Sequence, residues 1–192
     1  MKLKEMMYVS LFAALVAALG LLPPIALPFT PVPITAQTFG VMLAGAVLGA
    51  RLGGMSLGLF VLLVAVGAPV LSGGRGGLGI LIGPSGGYVL SWPIAAFVIG
   101  FLVEKSWHQL KLWRMVVFNL IGGVLVVYAC GITYLSFVAD LTWMQAAVSA
   151  LTYIPGDIAK AVLSGIIALR IQKSYPLIQP KSTSNTSHIK VA

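Results

Sequence analysis

The chain has 192 residues, of which 59% are hydrophobic and 8% are charged, and its mean hydropathy is +1.02. Because soluble domains carry roughly 25% charged residues, this composition excludes a water-soluble globular fold and predicts a membrane protein. The net charge of +8 would suit a nucleic-acid partner, but the distribution of the basic residues argues against one.

Six apolar runs predict an all-α, polytopic membrane protein with six transmembrane helices in a single domain, residues 1–173. A helix needs about 20 apolar residues to cross a bilayer, with a range of about 17 to 25, and only the second run must borrow flanking residues. Residues 174–192 are rich in Ser, Thr and Asn and predict a disordered cytoplasmic tail. The six runs are 6–22, 36–50, 53–71, 84–103, 115–139 and 141–169, the last of them interrupted at Pro155.

The basic residues predict the orientation of the chain. With both termini in the cytoplasm, ten of the 12 lysines and arginines lie on the inner side, Lys160 lies in the membrane and only Arg75 lies outside. This is the positive-inside bias of membrane proteins, and the opposite topology would reverse it. The N-terminus also suits a secretory signal, but an even number of crossings is needed to place both ends inside, so we expect a retained helix. We expect contact with membrane lipid and no nucleic-acid partner.

The first predicted helix carries small residues at helical spacing. Ala14 and Ala18 share one stripe, and Ala13 with Ala17 forms a second stripe beside it. Such spacing lets helices approach closely. Packing inside the bundle is the simpler explanation, and docking onto another membrane protein is the alternative.

Two unusual connections are predicted to face outside, and the first of them, 23–35, is rich in proline. Its five prolines fix backbone angles and remove amide donors, so it cannot be helical throughout. We predict a stiff, partly extended flap. The apolar residues Phe29 and Ile34 suggest that the flap folds down over something.

The second connection, 72–87, is dense in glycine and contains Arg75, Gly77 and Ser85. Glycine lets backbone approach a ligand closely and lets amide groups point towards it. A flexible turn is the alternative, but the apolar residues within 78–82 favour a packed re-entrant segment.

Asp157 and Lys160 form a pair of opposite charges inside the last apolar run. A charge in hydrocarbon costs several kcal/mol unless it is paired or hydrated, so such a pair predicts a functional site. Three residues apart on a helix, the two side chains share a face. From Asp157 to the predicted inner boundary at Arg170 is about 20 Å of helix in a core about 30 Å thick. The pair is therefore predicted in the outer third, in a pocket open to the outside.

The glycine-rich connection holds two partial enzyme motifs. Residues 83–87 match G-x-S-x-G around Ser85, but that motif needs a histidine base, and His108 and His188 are both predicted on the inner side. The segment 74–79 begins like a phosphate-binding loop but lacks the Lys and Ser/Thr that must follow. No cysteine, histidine or carboxylate cluster has metal-ligand spacing. We therefore predict no enzyme activity, no cofactor and no metal.

Two segments taken together resemble a known family. The glycine-rich segment from Gly74 to Tyr88, with the later run Tyr153-Ile154-Pro155-Gly156-Asp157-Ile158-Ala159-Lys160, looks like the BioY family. Members of that family are the biotin-specific substrate-binding (S) components of energy-coupling factor (ECF) transporters. The resemblance extends from Met6 to Arg170.

The resemblance implies a six-helix protein of a prokaryotic cell membrane that captures biotin from the outside, with the proline-rich connection as a lid. It also implies partners that supply energy, namely a transmembrane coupling subunit and two ATPase subunits. The implied docking face for the coupling subunit is formed by Ala13, Ala14, Ala17 and Ala18.

The chemistry of biotin suits the pair in the last run. Biotin has a ureido group with two N–H donors and a carbonyl, a thioether ring, and a carboxylate on an aliphatic tail. Asp157 can accept from ureido N–H groups, while Lys160 can donate to a carbonyl or a carboxylate and neutralise Asp157. Arg75 or glycine amides are candidates for the biotin carboxylate. The full set of ligand-binding candidates is Asp157, Lys160, Tyr153, Arg75, Tyr88, Ser85, Gly77, Phe29 and Gln37.

Two alternatives remain open at this point. One is a solitary proton-coupled carrier, in which Asp157 exchanges its proton as Lys160 moves. The other is a structural membrane protein in which the ion pair only holds two helices together. Replacing both charges with apolar residues would leave such a structural protein folded.

Overall fold

The computed structural model describes residues 1–174, apart from the side chain of His108. The predicted tail lies outside the described residues except for Ser174, which ends the last helix. The described chain is mostly helical and contains one two-stranded antiparallel sheet. Its elements are α1 (Leu3–Leu19), β1 (Ile25–Leu27), β2 (Thr30–Ile34), α2 (Gln37–Ala65), α3 (Leu78–Ile82), α4 (Gly86–Lys105), a 3₁₀ turn (Trp107–Gln109), α5 (Leu112–Leu120), a π-helical segment (Ile121–Val126), α6 (Val127–Val138), α7 (Trp143–Leu151) and α8 (Ile154–Ser174).

Three helical stretches of the described chain are long and apolar enough to cross a membrane. They are Gln37–Ala65, Gly86–Lys105 and the continuous helix Leu112–Val138, which joins α5, the π-helical segment and α6. The six predicted crossings and the cytoplasmic placement of both termini therefore stay predictions.

Helix α2 turns back sharply at Gly49, whose φ of +82° is a value that residues other than glycine rarely adopt. A Cβ atom on Gly53 would lie 3.1 Å from the Ala44 carbonyl oxygen. Residues nine apart in a straight helix are separated by about 13 Å. The two limbs of α2 therefore fold against each other, which confirms the predicted break between the second and third apolar runs.

Side chains from two other helices satisfy the backbone groups that this reversal leaves without partners. Oε1 of Glu104 accepts the Ala50 N–H at 2.8 Å, and Nε2 of Gln172 donates to the Ala46 carbonyl at 2.6 Å. Helix ends expose amide and carbonyl groups that need such partners. The reversal is thus held by α4 on one side and by α8 on the other.

The described chain is mostly helical, as predicted, except at the proline-rich connection, where β1 and β2 form a hairpin that was not predicted. The extended backbone predicted for this connection is confirmed. Proline is tolerated in β2 because one edge of a two-stranded sheet needs no amide donors. In the register of the hairpin, Ile25 pairs with Ile34 and Leu27 pairs with Thr30.

The glycine-rich connection contains the short helix α3. Leu81 is buried, whereas Leu78 and Ile82 are exposed, so only one side of α3 packs against the bundle. The Tyr134 hydroxyl of α6 donates to the Leu81 carbonyl at 3.1 Å. This contact attaches the connection to the helix that also borders the site described below.

The last apolar run divides into α7 and α8, close to the predicted break at Pro155. Pro155 lies in the first turn of α8, where its missing N–H leaves no intrahelical hydrogen bond unmade. Asp157 follows in the same turn, and α8 continues without interruption to Ser174. The helical path from Asp157 to Arg170, on which the depth estimate rests, is therefore confirmed.

Candidate functional site

A cavity lies between the β-hairpin, the start of α2, the glycine-rich connection and helices α4, α6 and α8. Seven of the nine predicted ligand-binding residues line it. These are Asp157, Lys160, Tyr153, Arg75, Tyr88, Ser85 and Gln37.

The structure does not bring Phe29 and Gly77 into the cavity lining. Phe29 lies at the turn of the β-hairpin with 60% of its surface exposed, because the strand pairing turns the loop tip away from the bundle. Gly77 precedes α3 with a φ of +95°, so its role here is to allow the turn into that helix.

Asp157 and Lys160 form the predicted ion pair, with Nζ 2.9 Å from Oδ1. Nζ also donates to the Thr35 carbonyl at 2.8 Å and to the Thr38 hydroxyl at 2.9 Å. An ammonium group has three N–H donors, so Lys160 uses all of them within the protein. Through these bonds α8 is tied to the segment that joins the β-hairpin to α2.

The carboxylate of Asp157 is only partly saturated. Oδ1 accepts from Lys160 and, at 3.4 Å, from the Thr38 hydroxyl, while Oδ2 accepts from the Tyr128 hydroxyl at 2.6 Å. A carboxylate offers about four lone-pair directions, so one on Oδ2 remains. The site therefore combines a neutralised charge with a free acceptor suited to an N–H donor.

Aromatic side chains surround this acceptor. The Tyr128 ring makes edge contacts with Tyr88 and Tyr153, at centroid distances of 6.5 Å and 6.3 Å. Within residues 1–174, the buried Tyr88 hydroxyl and the buried Trp92 indole nitrogen have no hydrogen-bond partner. Buried polar groups are normally hydrogen-bonded, so these two groups are unpaired polar atoms on residues that line the cavity.

Tyr153 connects the β-hairpin to the junction of α7 and α8. Its hydroxyl is 2.8 Å from the Thr30 hydroxyl and donates to the Val32 carbonyl at 2.8 Å. All three residues are buried. Tyr153 therefore holds β2 beside the cavity, and Lys160 holds Thr35, the residue that directly follows β2.

Gln37 lines the cavity but has little hydrogen-bonding capacity left for a ligand. Its Nε2 donates to the Val16 and Val70 carbonyls, at 3.0 Å and 2.9 Å. Its Oε1 accepts from the Ser72 amide at 3.0 Å and the Ser72 hydroxyl at 3.2 Å. Because both amide atoms are occupied, Gln37 joins α1, α2 and the glycine-rich connection rather than presenting a free polar group.

Arg75 lines the cavity from the glycine-rich connection. Its Nε donates to the Ser72 carbonyl at 3.0 Å, which fixes the guanidinium group near the loop. The backbone of Arg75 pairs with that of Leu71, but within residues 1–174 its side chain makes no other hydrogen bond and no ion pair, so its Nη atoms remain free donors. Such a group can bind a carboxylate with two parallel hydrogen bonds.

The lining does not assemble a reactive group. Ser85 lies at the start of α4, and the part of the lining within residues 1–174 contains no histidine and no carboxylate other than Asp157. In the same part of the chain, no three His, Cys, Asp or Glu side chains gather as metal ligands would. The arrangement supports reversible binding of a small molecule.

The four predicted docking residues on α1 differ in their exposure. Ala14 and Ala18 are exposed, Ala17 is half-buried, and Ala13 is only 2% exposed within the core. Because Ala13 packs against its own bundle, only Ala14, Ala18 and part of Ala17 are accessible to another protein.

Sequence reasoning missed Thr38, Tyr128 and Trp92 as lining residues. From the sequence, Tyr128 is ambiguous, because a single polar side chain in an apolar helix often bonds only a neighbouring helix. Its hydroxyl instead reaches the carboxylate of Asp157. Helical spacing could have indicated Trp92 as a lining residue, since it lies four residues after the predicted Tyr88 on the same face of α4.

Comparison with known proteins agrees with this geometry. The BioY family model matches residues 1–177. The chain belongs to the BioY family. Among curated BioY proteins, the biotin transporter of Rhizobium etli is 48% identical over 187 residues, which cover 95% of this chain and 100% of that protein. The probable biotin transporter of Bacillus subtilis is 41% identical over 177 residues, 92% of this chain and 95% of that protein.

A solved BioY-like structure has the same fold. It is the crystal structure of the S component for biotin from an ECF-type ABC transporter, with a TM-score of 0.85 and 38% sequence identity. The match covers 88% of this chain and 91% of that one. BioY proteins are membrane transporter components rather than enzymes, and this chain is accordingly a multi-pass membrane protein.

Proposed function

We propose that this chain is the biotin-binding S component of an ECF-type uptake transporter. One observation carries the proposal: the charge of Asp157 is neutralised by Lys160, yet Asp157 keeps a free acceptor inside an aromatic cavity. Such a site binds a neutral group with N–H donors attached to an apolar body. The names of the R. etli and B. subtilis relatives and of the matched structure support biotin as that ligand.

The groups of biotin have complementary partners in the lining. A ureido N–H would donate to Oδ2 of Asp157, and the apolar ring and tail would lie among the aromatic residues. Tyr88 and Trp92 would donate to acceptor atoms, because their buried donors lack partners within residues 1–174. The free Nη atoms of Arg75 would hold the carboxylate.

Transport requires energy that this chain has no motif to supply. We propose that a transmembrane coupling subunit and two ATPase subunits provide it; the proposal is supported by the match to an S component from an ECF-type ABC transporter. The accessible Ala14 and Ala18 of α1 would contact the coupling subunit. The β-hairpin, held by Tyr153 and Lys160, would form the lid over a cavity that opens to the outside.

Isothermal titration of biotin against the purified chain tests the proposal. Asp157→Asn removes a charged acceptor, and a hydrogen bond to a charged group is worth about 1.5 to 3 kcal/mol, so we expect Kd to rise about 10- to 100-fold. The matched control is Asp140→Asn, because Asp140 is exposed and lies outside the cavity lining. Micromolar or weaker binding that Asp157→Asn leaves unchanged would refute the assignment.

A further inference from the structure

The π-helical segment Ile121–Val126 interrupts an otherwise α-helical rod between two contacts with α8. Before the segment, Nδ2 of Asn119 donates to the Ala161 carbonyl at 3.0 Å. After it, the Tyr128 hydroxyl donates to Asp157 at 2.6 Å. Asp157 and Ala161 are one turn apart on α8, so both contacts are made to the same face of that helix.

An uninterrupted α-helix could not make both contacts. Asn119 and Tyr128 are nine residues apart, and at about 100° per residue nine steps amount to about 900°, which places the two side chains on opposite faces. A π-helical turn accommodates one additional residue. The rotation then equals that of about eight α-helical steps, or about 800°, and the two side chains lie about 80° apart.

We propose that the π-helical segment sets the rotation of α6 so that Tyr128 reaches Asp157, and that Tyr128 is a positioning residue for ligand binding. This inference rests on the proposed role of Asp157 in binding. π-Helical turns are rare and occur frequently at functional sites. Here the turn has a defined consequence, because it directs one hydroxyl towards one carboxylate oxygen.

The hydroxyl of Tyr128 restricts what Asp157 can recognise. Lys160 and Thr38 occupy Oδ1, and Tyr128 occupies one of the two lone-pair directions of Oδ2. A single acceptor direction remains, and its orientation is fixed because the carboxylate is held from both sides. Tyr128 thereby selects ligands that place an N–H donor in that direction.

Tyr128→Phe tests the positioning role and keeps the ring contacts with Tyr88 and Tyr153. We expect a rise in the biotin Kd of about 10-fold, because the carboxylate of Asp157 loses the bond that orients its free acceptor direction. Adding Asp157→Asn should then weaken binding no further than Asp157→Asn alone does. The control Thr133→Val removes an exposed hydroxyl of the same helix that bonds only the Ala129 carbonyl, and it should leave Kd unchanged.

Two further variants test the π-helical segment itself. Deleting Leu125 leaves eight steps between Asn119 and Tyr128, which a regular α-helix turns through about 800°, so the π turn is no longer needed and Tyr128 keeps its direction. We expect this deletion variant to bind biotin like the wild type. In the register variant, an alanine is inserted after Val126 and Ala129 is deleted, so only 127–128 move by about 100° and the rest of α6 keeps its place. We expect the register variant to lose as much affinity as Tyr128→Phe does.

The outcomes separate this inference from the proposed function. If Asp157→Asn weakens binding but Tyr128→Phe does not, or if their effects add, the positioning role is overturned and the function stands. If deletion of Leu125 weakens binding as much as Tyr128→Phe does, or if the register variant binds like the wild type, the π-helical segment does not direct Tyr128. Should the register variant fail to give monodisperse protein, the deletion variant and the double variant Tyr128→Phe/Asp157→Asn decide the matter. If Asp157→Asn has no effect, the proposed function itself fails.

Discussion

At the scale of single residues, the Asp157–Lys160 pair illustrates how a membrane protein keeps charge inside its bundle. The Asp157 side chain is 5% exposed and the Lys160 side chain is 18% exposed. A buried pair is only weak support for stability, because desolvation of both ions can exceed their attraction. Removing one partner is different, since it leaves the other charge without compensation. The pair is therefore better explained by ligand recognition than by stability.

Lys160→Met tests this interpretation. The variant leaves Asp157 uncompensated, and we expect the free energy of unfolding to fall by about 3 kcal/mol, the lower end of the range for buried pairs, because Lys160 keeps some exposure. Thermal unfolding in detergent, monitored by size-exclusion chromatography, measures the loss of stability.

The control for that experiment is the double variant Asp157→Asn/Lys160→Met. It removes both charges, so most of the stability should return while biotin binding stays weak. If the double variant binds biotin as the wild type does, the pair only holds helices together. If it is no more stable than Lys160→Met, the loss in the single variant is not electrostatic.

Sequence patterns predicted the charged residues of the site better than its uncharged ones. Asp157 and Lys160 stand out because charge in an apolar run is costly, and the structure places both in the cavity. Thr38 and Tyr128 carry no such signal, because a hydroxyl in a helix can bond its own backbone or a neighbour equally well. Phe29 was misplaced because apolar character indicates burial somewhere but does not give the direction of a hairpin tip.

At the scale of elements, the reversal of α2 depends on close contact with α4. A Cβ atom on Gly100 would lie 2.1 Å from the carbonyl carbon of Gly49 and 2.2 Å from the Ala50 nitrogen. Both atoms are backbone and cannot rotate away. Glu104, one turn further along α4, accepts the Ala50 N–H, so this contact also positions the cap of the second limb.

Gly100→Ala should therefore separate α4 from the reversal. Adding a methyl group to such a tight contact costs about 1 to 3 kcal/mol of stability. We expect a loss near the upper end of this range, because backbone atoms must move and the hydrogen bond from Ala50 to Glu104 would be strained. Gly58→Ala is the matched control, since a Cβ atom there meets nothing within 4 Å and alanine favours a helix by roughly 0.5 to 1 kcal/mol. Thermal unfolding should lower Tm for Gly100→Ala and keep or raise it for Gly58→Ala. Equal effects would contradict the close-contact explanation.

Element boundaries were predictable where proline or glycine dictates the backbone. Proline density predicted extended structure before α2, and Pro155 predicted the break before α8, both of which the structure shows. The pairing of β1 with β2 was not predictable, because it depends on contacts with Tyr153 that lie far along the chain. The π-helical segment Ile121–Val126 was also hidden, since apolar composition suits either kind of helix.

At the scale of the whole molecule, the cavity and the accessible small residues of α1 lie on separate parts of the bundle. The cavity is formed by the hairpin with α2, α4, α6 and α8, whereas the accessible small residues Ala14 and Ala18 lie on α1. Helix α1 contributes to the bundle through its opposite face, where Val16 is fully buried. Its exposed face can therefore be altered without touching the cavity.

Ala14→Trp/Ala18→Trp should consequently uncouple transport from binding in vesicles that contain the chain with its coupling subunit and ATPases. We expect biotin Kd to stay within about twofold of the wild type while ATP-dependent biotin uptake is lost, because two large side chains prevent close helix approach. Ile94→Trp, at an exposed position of α4, is the control and should retain uptake. Vesicles with the chain alone should accumulate no biotin. Accumulation there that an uncoupler abolishes would instead favour a proton-coupled carrier, in which a proton gradient rather than ATP hydrolysis drives the cycle.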